Sequence, residues 1–395
     1  MRRTAQDTSP PSGTGAPTPA LPERPMRRAE FLAGAGKLAL GAGGLGLLSG
    51  AAGAAPAIAA PRRIARAASS KVKRIAVVEQ AFAPFFTENF QIPLTNYLKK
   101  DQKGWTQTFG NENNTVPTGI NLLNQYAAAN DGILILSTGD DMTAWQEAVK
   151  KVVQEGSLFI NHSTQGVAGA TQNVLFSHKQ SGIDVGNAAV AWCKKQRITA
   201  PVVGLLGNLS DAQGSKRTTW AWNTIHAKLP KATLAGSVQA IDTPTGTTGS
   251  ANLLSAHPTI NVMICFNTLA GVGALTSAKL AGKTNRDKFF LGCTDSEDQT
   301  LKLIAAQNSI MQANWGAFFP ASMILMARDG IAKFNGKPIK PTRLIYGLTI
   351  VTAQQAKSFD KITFDPLNPK YAYVFKKYFK YLDTPIGTAQ VPPGQ

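Results

Sequence analysis

Polar residues recur shortly after the apolar segments of this chain, and their types suit the binding of a hydroxyl-rich small molecule. An amide donates and accepts hydrogen bonds in fixed directions, and a carboxylate accepts strongly. Any one of these residues is also a typical helix N-cap, so it is their recurrence that favours a ligand site. The set comprises Asn111, Asn113, Asn114, Asp140, Asp141, Asn161, His162, Ser163, Lys216, Arg217, Asn267, Asp295 and Asn314.

After the first apolar segment of the chain, the corresponding residues are aromatic. The segment Ile75–Val78 is followed by Pro84, Phe85 and Phe86. A dinucleotide fold has glycines here, so that backbone amides approach a phosphate, whereas phenylalanines offer flat apolar faces and exclude water. This pair predicts a ring-stacking cleft and argues against a nucleotide ligand.

Catalytic motifs are absent from the sequence. It contains neither Gly-x-Ser-x-Gly nor His-Glu-x-x-His, and its four histidines share no spacing. We therefore expect no metal and no cofactor. The enzyme alternative is a cleft hydrolase or isomerase that uses Asp140, His162 and Asp295 as acid and base groups, and it requires Asp140 to face Asp295 within proton-transfer reach.

Short apolar runs alternate with longer helical stretches after residue 72, which is typical of an α/β chain with parallel sheets. Ligands of such sheets bind beyond the carboxyl ends of the strands, where the polar residues lie. The predicted strands are Ile75–Val78, Trp105–Phe109, Gly132–Leu136, Leu158–Asn161, Val174–Ser177, Val202–Leu206, Leu234–Gln239, Val262–Phe266, Phe289–Cys293 and Ile310–Gln312.

The alternation breaks around 173–179, where two strands follow each other without a helix. We interpret this break as a crossing between two similar lobes with a cleft between them. Lobe one is predicted to contain 72–176 and 315–337, and lobe two 177–314 and 338–351. The tail, 352–395, is basic and aromatic. Such a pattern can bind single-stranded nucleic acid, but Tyr371, Phe375, Tyr378 and Leu382 fall at helical spacing, which favours a packed terminal helix.

Residues 1–60 have the order of an export leader. Arg27 and Arg28 precede a mostly apolar run, and Ala-x-Ala processing sites follow, so the mature chain is expected to start near Ala60 after a linker, 61–71. The two arginines resemble a twin-arginine signal. Crowding of the run by glycine and alanine argues against a membrane anchor.

The chain carries a net charge of +18, and removal of the leader's net +3 leaves +15. The lysines are spread along the chain, so we predict no nucleic-acid partner, and the short basic run over 62–74 suits a tether near an anionic membrane. Cys193, Cys265 and Cys293 cannot form a closed disulfide set. Cys265 and Cys293 would pair only on neighbouring strands, and buried thiols are the favoured interpretation.

Over about 72–350 the chain resembles the type I periplasmic binding proteins of sugar ABC transporters, the ribose- and galactose-binding group. The resemblance rests on Ile75–Val78 with Pro84-Phe85-Phe86, on Leu254-Ser255-Ala256-His257-Pro258 before Val262–Asn267, and on Gly271–Leu275 with Ala281-Gly282-Lys283. It implies two Rossmann-like lobes of parallel sheet joined by a hinge, a sugar ring that stacks on Phe85 or Phe86, and a membrane permease as partner. We expect the protein to be a monomer. The matching ligand residues are Asn113, Arg217 (or Lys216), Asn267 and Asn314.

The chain also departs from that family. Asn161-His162 stands where the family has Asp-Arg, Ala83 replaces an asparagine, and the aspartate after Thr294 comes one residue late, as Asp295. The pocket has thus lost charge and gained aromatic options, which favours a modified or less polar ligand. Beside an exported binding protein of an ABC importer, a ligand sensor that docks to a receptor remains an alternative.

Overall fold

A computed structural model describes residues 71–81, 84–139, 141–210, 214–364 and 368–386. The predicted leader, nearly all of the predicted linker, and Asp140 lie outside the described residues.

Within these described ranges, thirteen strands form two sheets. The first sheet contains β1 (Val72–Glu79), β2 (Thr106–Asn111), β3 (Asp131–Ser137), β4 (Leu158–Ser163), β5 (Gln172–Phe176), β11 (Thr342–Ile345) and β13 (Phe379–Leu382). The second contains β6 (Val202–Gly207), β7 (Thr233–Gln239), β8 (Val262–Cys265), β9 (Phe290–Thr294), β10 (Met311–Gly316) and β12 (Leu348–Ile350).

Their spatial orders are β13-β11-β5-β4-β3-β1-β2 and β12-β10-β9-β8-β6-β7. Neighbouring strands are parallel except β11 with β13 and β10 with β12. Each residue of β3 is buried, as expected for an apolar strand with helices on both faces of its sheet. Two mostly parallel sheets with interleaved helices confirm the predicted α/β fold of two lobes.

Helices connect most of the strands, and a π-helical turn (Thr87–Gln91) and 3-10 turns (Met142–Trp145, Pro369–Tyr371) complete the elements. Among the described residues, no helix has the length and hydropathy to cross a membrane. The helices are α1 (Pro84–Phe86), α2 (Ile92–Asp101), α3 (Val116–Ala128), α4 (Gln146–Gln154), α5 (His178–Lys195), α6 (Ser215–Lys228), α7 (Thr243–Ala256), α8 (Thr268–Leu280), α9 (Asp298–Ala306), α10 (Phe319–Phe334), α11 (Ala353–Phe364) and α12 (Ala372–Tyr378).

Within the described residues the chain passes between the sheets at four places: after β5 into α5, after β10 into α10, between β11 and β12, and between β12 and β13. Helix α10 packs against β3 and β4, in the first lobe. The first crossing lies where the strand-helix alternation breaks in the sequence.

One predicted lobe boundary needs correction. The range 338–351 was assigned to lobe two, but β11 lies beside β5 in the first sheet, with Thr342 opposite Asn173 and Ile345 opposite Phe176. Only β12 joins the second sheet. The two strands of this segment are only four and three residues long, so the sequence contains no long apolar run that would assign each of them to a sheet.

The tail also differs from its predicted form. The terminal helix ends at Tyr378, and 379–382 forms β13, which pairs antiparallel with β11. Without β13, β11 would be an edge strand with unpaired backbone groups, so pairing outweighs the helical spacing of the aromatic residues. Phe318, with φ of 53°, contacts the rings of Phe359 and Tyr378 at centroid distances of 4.7 and 4.9 Å.

All three cysteines are buried free thiols. Cys265 and Cys293 occupy paired positions on β8 and β9, so they are neighbours as their sequence positions allowed, yet they form no disulfide. Burial raises the pKa of Cys265 and Cys293 above that of an ordinary thiol, so both remain protonated.

Glu79 ends β1 as a fully buried carboxyl group. Its Oε2 accepts a hydrogen bond from Gln91 Nε2 at 2.7 Å, while Oε1 has no hydrogen-bond partner among the described residues. Burial raises its pKa from 4.5 to about 7. The folded state therefore binds this proton more tightly than the unfolded state, and the group's ionisation opposes folding as pH rises from about 4.5 through about 7.

We expect Glu79→Gln to stabilise the protein at pH 8 by about 2 kcal/mol and to change little at pH 4.5, because the amide keeps an acceptor for Gln91 and carries no charge. Urea unfolding at the two pH values measures the difference. Glu155→Gln, at an exposed position after α4, is the matched control and should change neither value. An equal gain for Glu79→Gln at both pH values would contradict the assigned cause.

Candidate functional site

A cavity of about 360 Å³ lies beyond the carboxyl ends of strands from both sheets. The chain crossings contribute Phe176, His178 and Phe319 to its wall. The rest of lobe one contributes Gln80, Ala81, Phe85, Phe86, Phe90, Asn114, Ser137, Thr138, Gly139 and His162. Lobe two contributes Asn208, Arg217, Ile241, Asp242, Phe266, Asn267, Thr268, Leu269, Asp295 and Glu297.

The lobe-one wall is a continuous cluster of aromatic rings. Phe85 contacts Phe86, Phe90 and Phe319 at centroid distances of 5.2, 6.0 and 5.3 Å, mostly edge to face. Phe319 also contacts Phe176 at 5.4 Å. Edge-to-face packing is the favoured arrangement of such rings. It holds the pair predicted from the sequence in place and leaves Phe85 and Phe86 only partly buried.

His162 lies inside this cluster as a neutral imidazole. Its ring contacts Phe90, Phe176 and Phe319 at 5.4 to 5.8 Å. Nδ1 lies 3.1 Å from the Ser137 hydroxyl, and the buried Nε2 has no hydrogen-bond partner among the described residues. Burial lowers the pKa of His162 to about 3, so it offers the cavity one uncharged polar atom.

Arg217, on α6, organises the lobe-two wall. Its Nη1 donates to Thr294 Oγ1 at 2.7 Å, to Asp295 Oδ2 at 2.8 Å and to the carbonyl oxygen of Phe266 at 3.1 Å. Its Nε donates to His178 Nδ1 at 2.7 Å, at the start of α5. Burial and the adjacent guanidinium keep the pKa of His178 well below its usual value, so this imidazole is neutral.

Asp295 has a left-handed backbone with φ of 66°, directly after β9. This conformation is uncommon for a residue with a side chain and typical of functional loops. Asp295 Oδ2 pairs with Arg217, while the buried Oδ1 has no hydrogen-bond partner among the described residues. Because Asp295 lines the cavity, this oxygen is a candidate acceptor for a hydrogen bond from a ligand.

Glu297 precedes α9 and caps no backbone amide with its side chain. Its pKa is raised from 4.5 to about 7, chiefly by burial; a hydrogen bond with the Thr268 side chain lowers it, and the charges of Asp295 and Glu88 add to the rise. Glu88 lies in the π-helical turn of lobe one, so a charge of each lobe acts on this carboxyl.

The cavity includes Phe85, Phe86, His162, Arg217, Asn267 and Asp295 among the ligand residues expected from the sequence. Asn267 was interpreted from the sequence either as a ligand residue or as a helix N-cap, and its position fits both. It lines the cavity, its Oδ1 caps α8, and its Nδ2 donates to the Ile241 carbonyl. Whether these residues bind a ligand remains a prediction. Asp140 lies outside the described residues, so its distance from Asp295 is not defined.

Asn161, Asn314 and Asn113 do not line the cavity. Asn161 points to the opposite face of β4 from His162, because side chains alternate along a strand, and it donates to Asn173 Oδ1 at 2.9 Å. Asn314 is buried within lobe two and donates to Thr300 Oγ1 at 2.8 Å. Asn113 is exposed, and its neighbour Asn114 lines the cavity in its place.

Other lining residues were not singled out from the sequence: Phe90, Phe176, His178, Phe319 and Glu297. Phe90 lies four residues after Phe86, on the same side of a helical segment, and this spacing was an available signal. Phe176 and His178 adjoin the predicted crossing. Among the described residues, no group of three histidine, cysteine or acidic side chains could hold a metal ion.

We expect Arg217→Leu to lower the free energy of unfolding by about 3 kcal/mol, because the buried Asp295 carboxylate loses its partner. The double variant Arg217→Leu with Asp295→Leu should recover much of the loss. Urea unfolding of the four proteins measures the coupling.

The exposed pair Lys302–Asp298 supplies the control, and Lys302→Ala should change stability by less than about 0.5 kcal/mol. Equal effects of Arg217→Leu and Lys302→Ala would show that Arg217 does not hold this wall together.

Comparison with known proteins places the fold. A family model described as the periplasmic binding protein domain matches residues 82–326. A solute-binding protein of an ABC transporter from Actinobacillus succinogenes, solved with D-allose, has a TM-score of 0.64 and 16% identity, over 72% of this chain and 99% of the other. The corresponding protein from Bacillus halodurans, solved with myo-inositol, has a TM-score of 0.64 and 16% identity, over 74% and 99%.

A 5-methylthioribose transporter solute-binding protein from Thermotoga lettingae has a TM-score of 0.64 and 15% identity, over 77% of this chain and 94% of the other. A search of curated protein sequences finds no match. At such identities the structural likeness establishes the fold, and it agrees with the family model, which spans more than half of the sequence. The chain belongs to the periplasmic binding protein domain family.

Proposed function

We propose that this protein is an exported solute-binding protein of an ABC importer. It captures a small polar, sugar-like ring compound between its lobes and delivers it to a membrane permease. The observation that carries the proposal is the cavity itself, whose wall joins stacked rings and directed polar groups from both lobes at the chain crossings. The bound allose, myo-inositol and 5-methylthioribose of the solved relatives support the ligand class.

The two walls give a physical basis for capture. A ring placed on Phe85 and Phe86 removes apolar surface from water, and Arg217, Asp295 and Asn267 direct polar groups from the opposite lobe. A ligand that contacts both walls binds the closed form better than the open form, and it therefore shifts the population toward closure. Closure about the crossings presents a surface of both lobes to the permease.

The enzyme alternative receives no specific support. The family to which the chain belongs is described as a binding-protein domain, which favours binding over catalysis. Asp295 is held by Arg217, and His162 is kept neutral by apolar surroundings that lower its pKa to about 3. A general acid or base works best with a pKa near the working pH. No described feature favours a receptor-docking sensor over transport.

Export and partner choice complete the proposal. The order of charged, apolar and small residues in 1–60 supports export to the periplasm or cell surface, with Arg27 and Arg28 favouring the twin-arginine route. We propose that the mature protein acts as a monomer without nucleic acid.

A ligand that binds only the folded protein raises its melting temperature. We expect a thermal-shift screen of the mature protein against sugars, polyols, amino acids and nucleosides to give a shift with ring compounds that carry hydroxyl groups. Small-angle scattering should then show a smaller radius of gyration with ligand, as the lobes close. No shift with any sugar or polyol, together with a clear shift for another class, would refute the sugar-like ligand.

The double variant Phe85→Ala, Phe86→Ala should weaken the best ligand about 10-fold or more, because it removes the stacking floor. Calorimetric titration measures the change. Tyr373→Ala, which removes an exposed ring of α12, is the control and should keep the wild-type affinity. Unchanged affinity in the double variant would remove the stacking model.

A further inference from the structure

The charged residues that line the cavity are mostly acidic, whereas the chain as a whole is strongly basic. The protein carries a net +18, yet the described residues that line the cavity include one arginine, three carboxyl groups and no lysine. The residues left undescribed within the lining stretches, 82–83, 140 and 211–213, contain neither lysine nor arginine in the sequence. Burial lowers the pKa of His162 and His178, so neither adds positive charge.

The single cation of the cavity is already neutralised. Arg217 forms a 2.8 Å ion pair with Asp295, and both side chains are largely buried. Asp242 and Glu297 form no ion pair with a described residue. Asp242 caps α7 by accepting a hydrogen bond from the Thr245 amide at 2.8 Å. The cavity thus has a surplus of negative charge, which centres on Glu297 once that group ionises.

The surplus charge lies on the same wall as an unsatisfied acceptor. Asp295 is 9% exposed, lines the cavity, and keeps Oδ1 without a hydrogen-bond partner among the described residues. On the lobe-one wall, the neutral His162 Nε2 also has no hydrogen-bond partner among the described residues, and its tautomer decides whether it donates or accepts. Glu297 lies two residues after Asp295 in the sequence and, like it, lines the lobe-two wall. A group that donates several hydrogen bonds and carries positive charge would satisfy this wall; a hydroxyl group would supply hydrogen bonds but no charge.

The opposite wall is also compatible with a cation. An aromatic face attracts positive charge, and the attraction strengthens in a site that excludes water. The cavity is lined by six phenylalanines, and in lobe two the Arg217 guanidinium already lies 4.6 Å from the centre of the Phe266 ring. No charged side chain of lobe one is among the described lining residues, so nothing on that wall competes for the cation.

We propose that the ligand is a ring compound with a protonated amine, whose ammonium group is held by the Glu297 carboxylate and by Asp295 Oδ1. The ring lies against the phenylalanines of lobe one. The inference rests on the proposed function and narrows its ligand class from neutral, sugar-like rings to amine-bearing ones. An amino sugar and an aromatic amine share this chemistry.

Two charge-matched series test the proposal by calorimetric titration at pH 8, with the mature protein. One series is D-glucosamine, D-glucose and D-glucuronate, and the other is tyramine, N-acetyltyramine and 3-(4-hydroxyphenyl)propionate. In the series that binds, the amine should bind at least about 10-fold more tightly than the neutral member, and the anion most weakly. The series that binds identifies the source of the amine as a sugar or an aromatic compound.

Glu297→Gln should reduce the affinity for the amine about 10-fold and change the affinity for the neutral member by much less, so that the preference for the amine is largely lost. Asp298→Asn is the control, because this neighbouring carboxylate does not line the cavity and pairs with Lys302 on the surface. It should keep the wild-type preference. Glu297→Gln removes a carboxyl group that resists ionisation, so a melting temperature at or above that of the wild type confirms that the variant folds.

The proposal is overturned if a neutral or anionic member binds most tightly, if Glu297→Gln keeps the preference for the amine, or if neither amine binds. In the first of these outcomes a ligand still closes the lobes, so solute capture would stand and only the amine would be withdrawn. Absence of binding and of lobe closure with every compound of both screens would refute solute capture itself.

Discussion

The Arg217 guanidinium is the contact on which the cavity depends. This one buried side chain holds together the residue after β8, the end of β9 with the residue that follows it, and the start of α5. Asp295 has a backbone conformation that few side-chain-bearing residues adopt, and the ion pair with Arg217 supplies a reason for that geometry to persist. His178 follows the first crossing, so the same guanidinium links the binding wall to the hinge.

The two lobes contribute chemically different walls to the cavity. All the described charged groups of the cavity belong to lobe two, whereas lobe one supplies rings and neutral polar atoms. Closure therefore brings an apolar wall over a charged one and strips water from carboxyl groups. The raised pKa of Glu297 shows the energetic consequence, because burial disfavours its ionised form by more than the hydrogen bond with Thr268 favours it. A ligand that donates hydrogen bonds to these carboxyl groups replaces the water that they lose, so it is favoured over a ligand that only fills the cavity.

The tail adds a constraint near the hinge. Helix α11 packs against α9 in lobe two, and β13 then pairs with β11 in lobe one, so the tail crosses between the lobes again. Phe318 lies between β10 and α10 and contacts rings from both parts of the tail. Rotation of the lobes must therefore repack these aromatic contacts as well as the crossings.

Sequence patterns predicted most of the fold, because apolar runs with intervening helices are determined locally. The ten predicted strands all occur, whereas β11, β12 and β13 are three or four residues long and depend on partners remote in sequence. Prediction of the site was less complete for a geometric reason. Adjacent side chains of a strand face opposite ways, so Asn161 packs against Asn173 while His162 faces the cavity.

Three-dimensional arrangement also explains why some residues that line the cavity were not predicted from the sequence. Phe85 and Phe86 were predicted because rings stood where a dinucleotide fold has glycines, a signal contained in one segment. Phe176 and Phe319 complete the same wall from two crossings more than a hundred residues apart, and only the three-dimensional path of the chain brings them together. Glu297 acquires its character from burial and from a charge of the other lobe, so its environment, rather than its position in the sequence, makes it a feature of the site.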